Sequence, residues 1–233
     1  MNLKLSGELI TDDWAELYRY YGITAGFYCP GDVEYAIEQL EPGEVLTLEV
    51  NSVGGSTDAA AEIYTAIQKC GNPTQAEITG LAASAASYMI LSCDKIAISV
   101  PAQMLIHCSS LTLSGNKEDH TWAARMLDTQ DLSILDTYVR RCGEEHREEL
   151  KAMMEEETFL ASGQCLQLGL VDSILGDDPE KYPKDPPMVA AGISDHIVRA
   201  MRTLPDIGAL KAQREQQIAM DAALETELNR YIK

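Results

Sequence analysis

A short β-branched run, Ala76-Glu77-Ile78-Thr79, leads through Gly80-Leu81-Ala82-Ala83-Ser84-Ala85-Ala86-Ser87 into Tyr88-Met89-Ile90-Leu91, which reads as buried helix. A strand that turns through Gly into a helix of tiny residues leaves its first hydroxyl, Ser84, at the helix N-terminus. Amides there lack intrahelical acceptors and carry the positive end of the helix dipole. A hydroxyl so placed has an anion-stabilising amide, that of Ala85, beside it. The run of alanines lets backbone and ligand approach closely. Serine is also a preferred N-cap, and a cap on a small-residue packing helix is the plainer reading.

The same grammar occurs earlier. Val45-Leu46-Thr47-Leu48-Glu49-Val50 is the clearest strand, and it runs into a loop, Asn51-Ser52-Val53-Gly54-Gly55-Ser56. Thr57 to Lys69 then places Ala60, Ile63, Tyr64 and Ile67 on one helical face. Upstream, Leu3, Leu5, Leu9 and Ile10 predict a strand broken at Ser6-Gly7, and helices are predicted from Thr11 and from Pro30 to Leu40. Downstream, Lys95 to Val100 and Gln103 to Ile106 predict two strands separated by Pro101. Alternating strand and helix predict an α/β layered fold with crossovers. Asn116 to Arg141 follows as a long amphipathic helix with Ala123, Met126, Leu127, Ile134 and Tyr138 on its stripe. A charged helix (Glu144 to Met154) and a short one (Ser162 to Leu168, stopped by Gly169) precede Leu170 to Leu175. Three parts are expected: a compact domain over 1–175, a proline-rich linker over 176–205, and a helical tail over 206–233.

Charge narrows the partners. A net charge of -19 disfavours phosphate neutralisation, hence nucleic acid, and an anionic membrane surface. Neither a secretion signal nor a membrane-spanning run is read. The six cysteines are scattered singly, with no C-x-x-C pair and no His at zinc spacing, so reduced cytoplasmic thiols and no metal are expected.

Of four histidines, His120 and His146 sit in charged helices and His196 in the tail. Only His107 ends an apolar strand, Met104-Leu105-Ile106-His107, where functional side chains of α/β sheets gather. Gly54-Gly55 is either a turn requiring positive φ or an exposed amide able to bind an oxyanion or pair with a peptide. No phosphate-loop motif is present. Spacing selects no third, orienting carboxylate in so acidic a chain.

Five segments in order carry a resemblance: Asn51 to Ser56, Gly80 to Ser87, Met104 to His107, Glu157-Thr158-Phe159-Leu160, and Gly169-Leu170-Val171-Asp172-Ser173-Ile174. Together they resemble the Clp protease proteolytic subunit (ClpP) family. The Ala-Ala-Ser-Ala-Ala-Ser run, the Gly115-Asn116 pair and the Glu-Thr-aromatic triplet resemble its phage head-maturation branch. The resemblance spans about residues 1–175. It implies a ClpP/crotonase-like fold of repeated β-β-α units, with Ser84 as nucleophile, His107 as general base and Glu157 as orienting acid. Most of the family has Asp at that last position, and Asp172 is the rival carboxylate, with a structural role in the family. Oxyanion amides would be those of Gly54 and Ala85, with Gly55 and Ser56 touching substrate. Val53 stands where the family loop usually has Pro. No cofactor is implied. The partners implied are protein substrates (scaffold, capsid or portal proteins) and further copies of the chain in a ring, within host cytoplasm.

Two other classes remain open. A crotonase-like enzyme would use the same amides for an acyl-CoA thioester, without needing Ser84 and His107 together. A non-catalytic assembly component would account for the linker and charged tail, and so would not label at Ser84. Near the first reading stands a housekeeping peptidase driven by an ATPase.

Overall fold

The computed structural model describes residues 1–176, so the expected linker, beyond Gly176, and tail lie outside the described residues. The chain runs β1 (Asn2–Leu9), α1 (Asp12–Tyr20), β2 (Phe27–Tyr28), α2 (Pro30–Glu38), β3 (Leu46–Gly55), α3 (Thr57–Lys69), β4 (Thr74–Ala83) and α4 (Ala85–Met89). It continues with β5 (Lys95–Ser99), β6 (Gln103–Ile106), α5 (Lys117–Cys142), α6 (Arg147–Glu155), β7 (Thr158–Ala161), α7 (Ser162–Gln167) and β8 (Ser173–Leu175). The predicted α/β layered fold is what forms.

Six strands make a parallel path in the order β2-β1-β3-β4-β5-β8. Leu5, Leu46, Leu48, Val50, Ala76, Ile78, Ile96 and Ile98 are fully buried in it, as are Ile63 of α3 and Met89 of α4. The fully buried positions alternate, as in Leu46, Leu48 and Val50, Ala76 and Ile78, and Ile96 and Ile98, the period that turns one face of a strand into the core. β4 has two successive neighbours on one edge: β5 along Gln75 to Ile78, then β6 along Leu81 to Ala83. β6 in turn pairs antiparallel with β7. The end of β4 is thereby carried away from β5 into a second layer of β4, β6 and β7.

Several boundaries differ from expectation, each for a tertiary reason. β1 is not broken at Ser6-Gly7; a bulge between Gly7 and Glu8 absorbs the irregularity, with Gly7 at φ +94°. β3 does not stop at Val50 but continues through Gly55, because β1 runs alongside it to the Leu9–Gly55 pair. β4 does not turn at Gly80. Asn51 Oδ1 accepts the Leu81 N–H at 3.1 Å, and β6 offers the next three residues an edge. The short strands β2 and β7 carry no periodicity of their own and exist through their partners.

The long helix opens on a capping box. Asn116 Oδ1 accepts the Glu118 and Asp119 amides at 2.8 and 3.1 Å, and Asp119 Oδ2 accepts the Asn116 N–H at 2.8 Å. Its C-terminal half packs on the core through Ile134, Leu135, Tyr138 and Val139. Of the expected stripe, Met126 and Leu127 are only half-buried, while Trp122 and Leu132 are 63% and 60% exposed.

All six cysteines are unpaired. Burial pushes the thiols of Cys29, Cys93, Cys142 and Cys165 up to about 12. An ordinary thiol ionises near ~8.5, so above that pH the unfolded chain sheds protons that the folded chain keeps. The stability these groups contribute is whole below that value and lost as pH rises toward 12. The loss is up to about 1.4 kcal/mol per pH unit for each of the deeply buried Cys93 and Cys165, and less for Cys29 and Cys142, where solvent screens the shift. The urea midpoint is expected to fall steadily from pH 8.5 to 10.5; a flat profile contradicts the shifts.

Candidate active site

Ser84 is the single residue between β4 and α4, with φ 54° and ψ −127°. Among the described residues, only Ser84 and Glu157 are non-glycines with positive φ. Such conformations cost on the order of 1–3 kcal/mol and persist only where neighbours hold them. Here the Ser84 N–H donates to the Leu105 carbonyl of β6 at 2.9 Å. Its carbonyl accepts from the Ser87 N–H at 2.9 Å and from Ser87 Oγ at 2.5 Å. The bend leaves the side chain half-buried and makes no N-cap hydrogen bond with it. The plain capping role thus lacks its defining bond.

The small residues have a steric reason. A Cβ on Gly54 would lie 2.6 Å from the Ala83 oxygen, 2.8 Å from the Ala85 nitrogen and 2.8 Å from Ser84 Cβ. Gly54, at φ +87°, therefore packs its bare Cα against the serine bend.

β6 brings the histidine. Ala83 pairs with Leu105, so two further steps along β6 put His107 just past the level of Ser84. Ser84, His107 and Gly55 line one cavity of about 60 Å³, with Thr57, Tyr88 and Ile134 on its walls. His107 Nε2 is itself buried and, among the described residues, is the one buried side-chain nitrogen or oxygen with no hydrogen-bond partner. Such an orphan costs about 1–3 kcal/mol, so it requires an explanation. Beyond it, the Ser109 N–H and Oγ both donate to Asp131 Oδ1 at 2.6 Å, tying the strand exit to α5.

Glu157 reaches the same place by register. The β6–β7 ladder ends with Ile106 opposite Thr158, and His107 and Glu157 are the residues next beyond that last pair on the two strands. Glu157 is exposed, at φ 51°, with its N–H donating to the Met154 carbonyl at 3.2 Å. Burial pushes the Cys108 thiol up to about 11, aided by Asp131 and, more weakly, by Glu155 and Glu157. No hydrogen bond joins Glu157 to His107, or His107 to Ser84.

Asp172 is placed elsewhere. Its Oδ2 accepts from the Ile96 N–H at 2.7 Å and from Arg141 Nη2 at 2.5 Å. Ile96 pairs with Ala76, eight residues before Ser84 on β4, or roughly 25 Å at 3.3 Å per strand residue. Asp172 clips β5 to α5 and does not reach the histidine.

Of the two expected oxyanion amides, that of Ala85 is the first of α4, where no intrahelical acceptor exists. The Gly54 amide donates to Ser52 Oγ at 3.1 Å. That hydroxyl also accepts from Tyr28 OH at 2.8 Å and donates to the Gly7 carbonyl at 2.7 Å. Ser56 caps α3, accepting the Ala59 N–H at 3.2 Å. Spacing does not mark the wall residues Thr57, Tyr88 and Ile134 as a site, because Tyr88 and Ile134 fall at ordinary core positions and Thr57 opens α3 as any helix-start threonine does. The same three also line a groove of about 660 Å³ between α3 and α5, bordered by Tyr64, Trp122 and Met126.

Among the described residues no group of His, Cys, Asp or Glu is placed to hold a metal, and no helix is long and apolar enough to cross a membrane. The Clp protease family model matches residues 35–178, well over half of the chain. The ATP-dependent Clp protease proteolytic subunit 1 of Chlamydia muridarum is 29% identical over 143 residues, covering 60% of this chain and 74% of that protein. Its counterpart from Chlamydia pneumoniae is 27% identical over 143 residues, with the same coverage. The one from Protochlamydia amoebophila is 27% identical over 149 residues, covering 62% and 71%. The β-strand, serine bend and histidine strand lie inside the matched span, and the chain belongs to the Clp protease family, a family of peptidases.

Proposed function

We propose that this chain is a serine endopeptidase in which Ser84 is the nucleophile, His107 the general base and Glu157 the acid that orients the imidazole. The observation that carries this is the buried, orphaned Nε2 of His107, on a residue that lines one cavity together with Ser84. A base needs a free imidazole nitrogen facing the hydroxyl, and catalytic hydrogen bonds often close only when substrate binds. The cavity holds about two waters at ~30 Å³ each, so a substrate carbonyl fills it, and the remaining peptide lies in the adjoining groove.

Ser84 Oγ attacks the carbonyl carbon while His107 takes the hydroxyl proton. The oxyanion is received by the Ala85 amide, and the Gly54 N–H serves as second donor by exchanging its bond to Ser52 Oγ for one to the oxyanion. The tetrahedral intermediate collapses, His107 protonates the leaving amine, and water resolves the acyl-enzyme by the same steps in reverse. Labelling of the assembled protein by a fluorophosphonate tests this directly. Wild type is expected to label at Ser84 and His107→Ala not to; an unlabelled wild type overturns the reading. Glu157→Gln keeps the shape but not the charge and is expected to lower kcat by roughly 10²–10⁴. Unchanged kcat moves the acid's role to another carboxylate.

The finer reading is a head-maturation protease acting on scaffold, capsid or portal proteins. Its support is the Ala-Ala-Ser-Ala-Ala-Ser run, the Gly115-Asn116 cap of α5 and the Glu157-Thr158-Phe159 triplet. The names of the relatives favour a second reading, a subunit driven by an ATPase. Cleavage of a scaffold protein without nucleotide supports the first; cleavage only with an ATPase and nucleotide supports the second.

A ring of copies is part of the proposal. Trp122 and Leu132 are large, exposed apolar residues on α5, and we take them as the contacts to a neighbouring copy. Trp122→Glu with Leu132→Glu is expected to shift the native mass spectrum from oligomer toward monomer. A monomeric wild type removes the ring.

A further inference from the structure

The serine bend has a buried support that its catalytic reading does not use. Ser87 is fully buried on α4, and Tyr138, 1% exposed, comes from α5. Their hydroxyl oxygens lie 2.5 Å apart, and Ser87 Oγ lies 2.5 Å from the Ser84 carbonyl oxygen. The proton directions follow from chemistry alone. A carbonyl only accepts, so the single Ser87 proton goes to Ser84 O. Ser87 then has only lone pairs to offer, and Tyr138 must be the donor between the two hydroxyls. Burial holds the Tyr138 phenol above its ordinary range, which keeps that proton in place. Tyr138 is also braced edge-on against Tyr88, with ring centroids 6.4 Å apart.

The carbonyl at the end of this chain belongs to the same peptide unit as the Ala85 N–H. A peptide unit is planar, so fixing its oxygen fixes where its N–H points. Hydrogen bonds in series also polarise one another, and an amide whose oxygen accepts strongly is a better donor at nitrogen. We propose that Tyr138 and Ser87 are positioning residues that aim and strengthen the Ala85 amide as an oxyanion donor, through the relay Tyr138 OH to Ser87 Oγ to Ser84 C=O. This rests on the peptidase reading for its effect on rate, but not for its effect on the amide. The Ser87 N–H also holds the same oxygen, so the hydroxyl relay adds to an existing bond. It further makes the oxyanion donor depend on the seating of α5.

Tyr138→Phe is the cleanest test, since it removes the terminal donor and leaves Ser87 free to bond Ser84. Loss of a whole oxyanion donor costs roughly 10²–10³ in kcat, and loss of its alignment is expected to cost about tenfold. KM should stay within about twofold, because the substrate carbonyl uses the amide less than the oxyanion does. A peptide aldehyde, which forms a hemiacetal at the serine, should bind weaker by the same factor as kcat falls. Ser87→Ala removes the relay entirely and should exceed Tyr138→Phe in both readouts. Unchanged kcat and aldehyde affinity in Tyr138→Phe overturn the proposal. So does a loss shared equally by kcat and KM alongside a lowered thermal midpoint, which marks a merely structural pair. The ¹⁵N–¹H resonance of Ala85, followed without substrate in the Ser84→Ala background, separates the two readings. It should move in Tyr138→Phe more than those of Ala86 and Tyr88, whether or not the chain cleaves peptides; a still resonance overturns the relay alone.

Discussion

Ser84→Ala is expected to remove peptide cleavage and fluorophosphonate labelling together, with kcat falling by on the order of 10⁶. His107→Ala should cost nearly as much, and the double variant little more, because a nucleophile and its base act as a unit. The structure makes the comparison clean. Ser84 Oγ caps nothing, so its removal should leave the thermal midpoint almost unchanged. Alanine at 107 removes the orphaned Nε2, so this variant should be no less stable than wild type beyond the lost ring contacts. Single-turnover kinetics and melting curves on the three variants decide the matter. Independent, multiplicative losses would mean that Ser84 and His107 do not work on one bond.

Gly54→Ala carries the second large effect. The added methyl would sit 2.6–2.8 Å from the Ala83 oxygen, the Ala85 nitrogen and Ser84 Cβ, all on the serine bend. Two of those atoms are backbone and cannot step aside by changing rotamer. Positive φ adds roughly 1–2 kcal/mol for any residue with a Cβ. The expected outcome is a lowered melting temperature and, in the protein that remains folded, a kcat reduced roughly 10²–10³-fold, as for a lost oxyanion donor. Labelling at Ser84 should slow by a comparable factor, because the phosphonyl oxygen needs the same amides. A variant that is destabilised yet fully active when folded would place the oxyanion site away from this loop.

The two effects also show how far residues in a row can be read. Ser84 was legible because Gly and Ala crowd around one hydroxyl at a strand-to-helix change, a pattern with few local causes. His107 stood out because an imidazole ends an apolar run. The α3 limits, Thr57 to Lys69, followed from a 3.6-residue spacing that needs no distant partner. By contrast, β3 and β4 were read as stopping at Val50 and Thr79. Apart from Val53 and Leu81, their last residues are small or polar, and they hold strand geometry because β1 and β6 lie beside them. β7 was invisible for the same reason, and without it the juxtaposition of Glu157 with His107 has no basis in spacing.

Local chemistry by itself determined which groups this protein offers: a hydroxyl at a helix start, an imidazole at a strand end, glycines where a Cβ will not fit, and thiols kept apart. Those follow from periodicity, turn stereochemistry and side-chain type, all of which act within a few residues. Tertiary structure alone decided that Glu157 lies next to the end of the ladder that leads to His107, and that Asp172 is tied to Arg141 instead. It also decided that Ser87, which holds the Ser84 carbonyl, meets Tyr138 of α5, fifty-one residues away along the chain. The reason is physical: hydrogen-bond pairing between strands and buried contacts between helices join residues by distance in space, which chain separation does not encode.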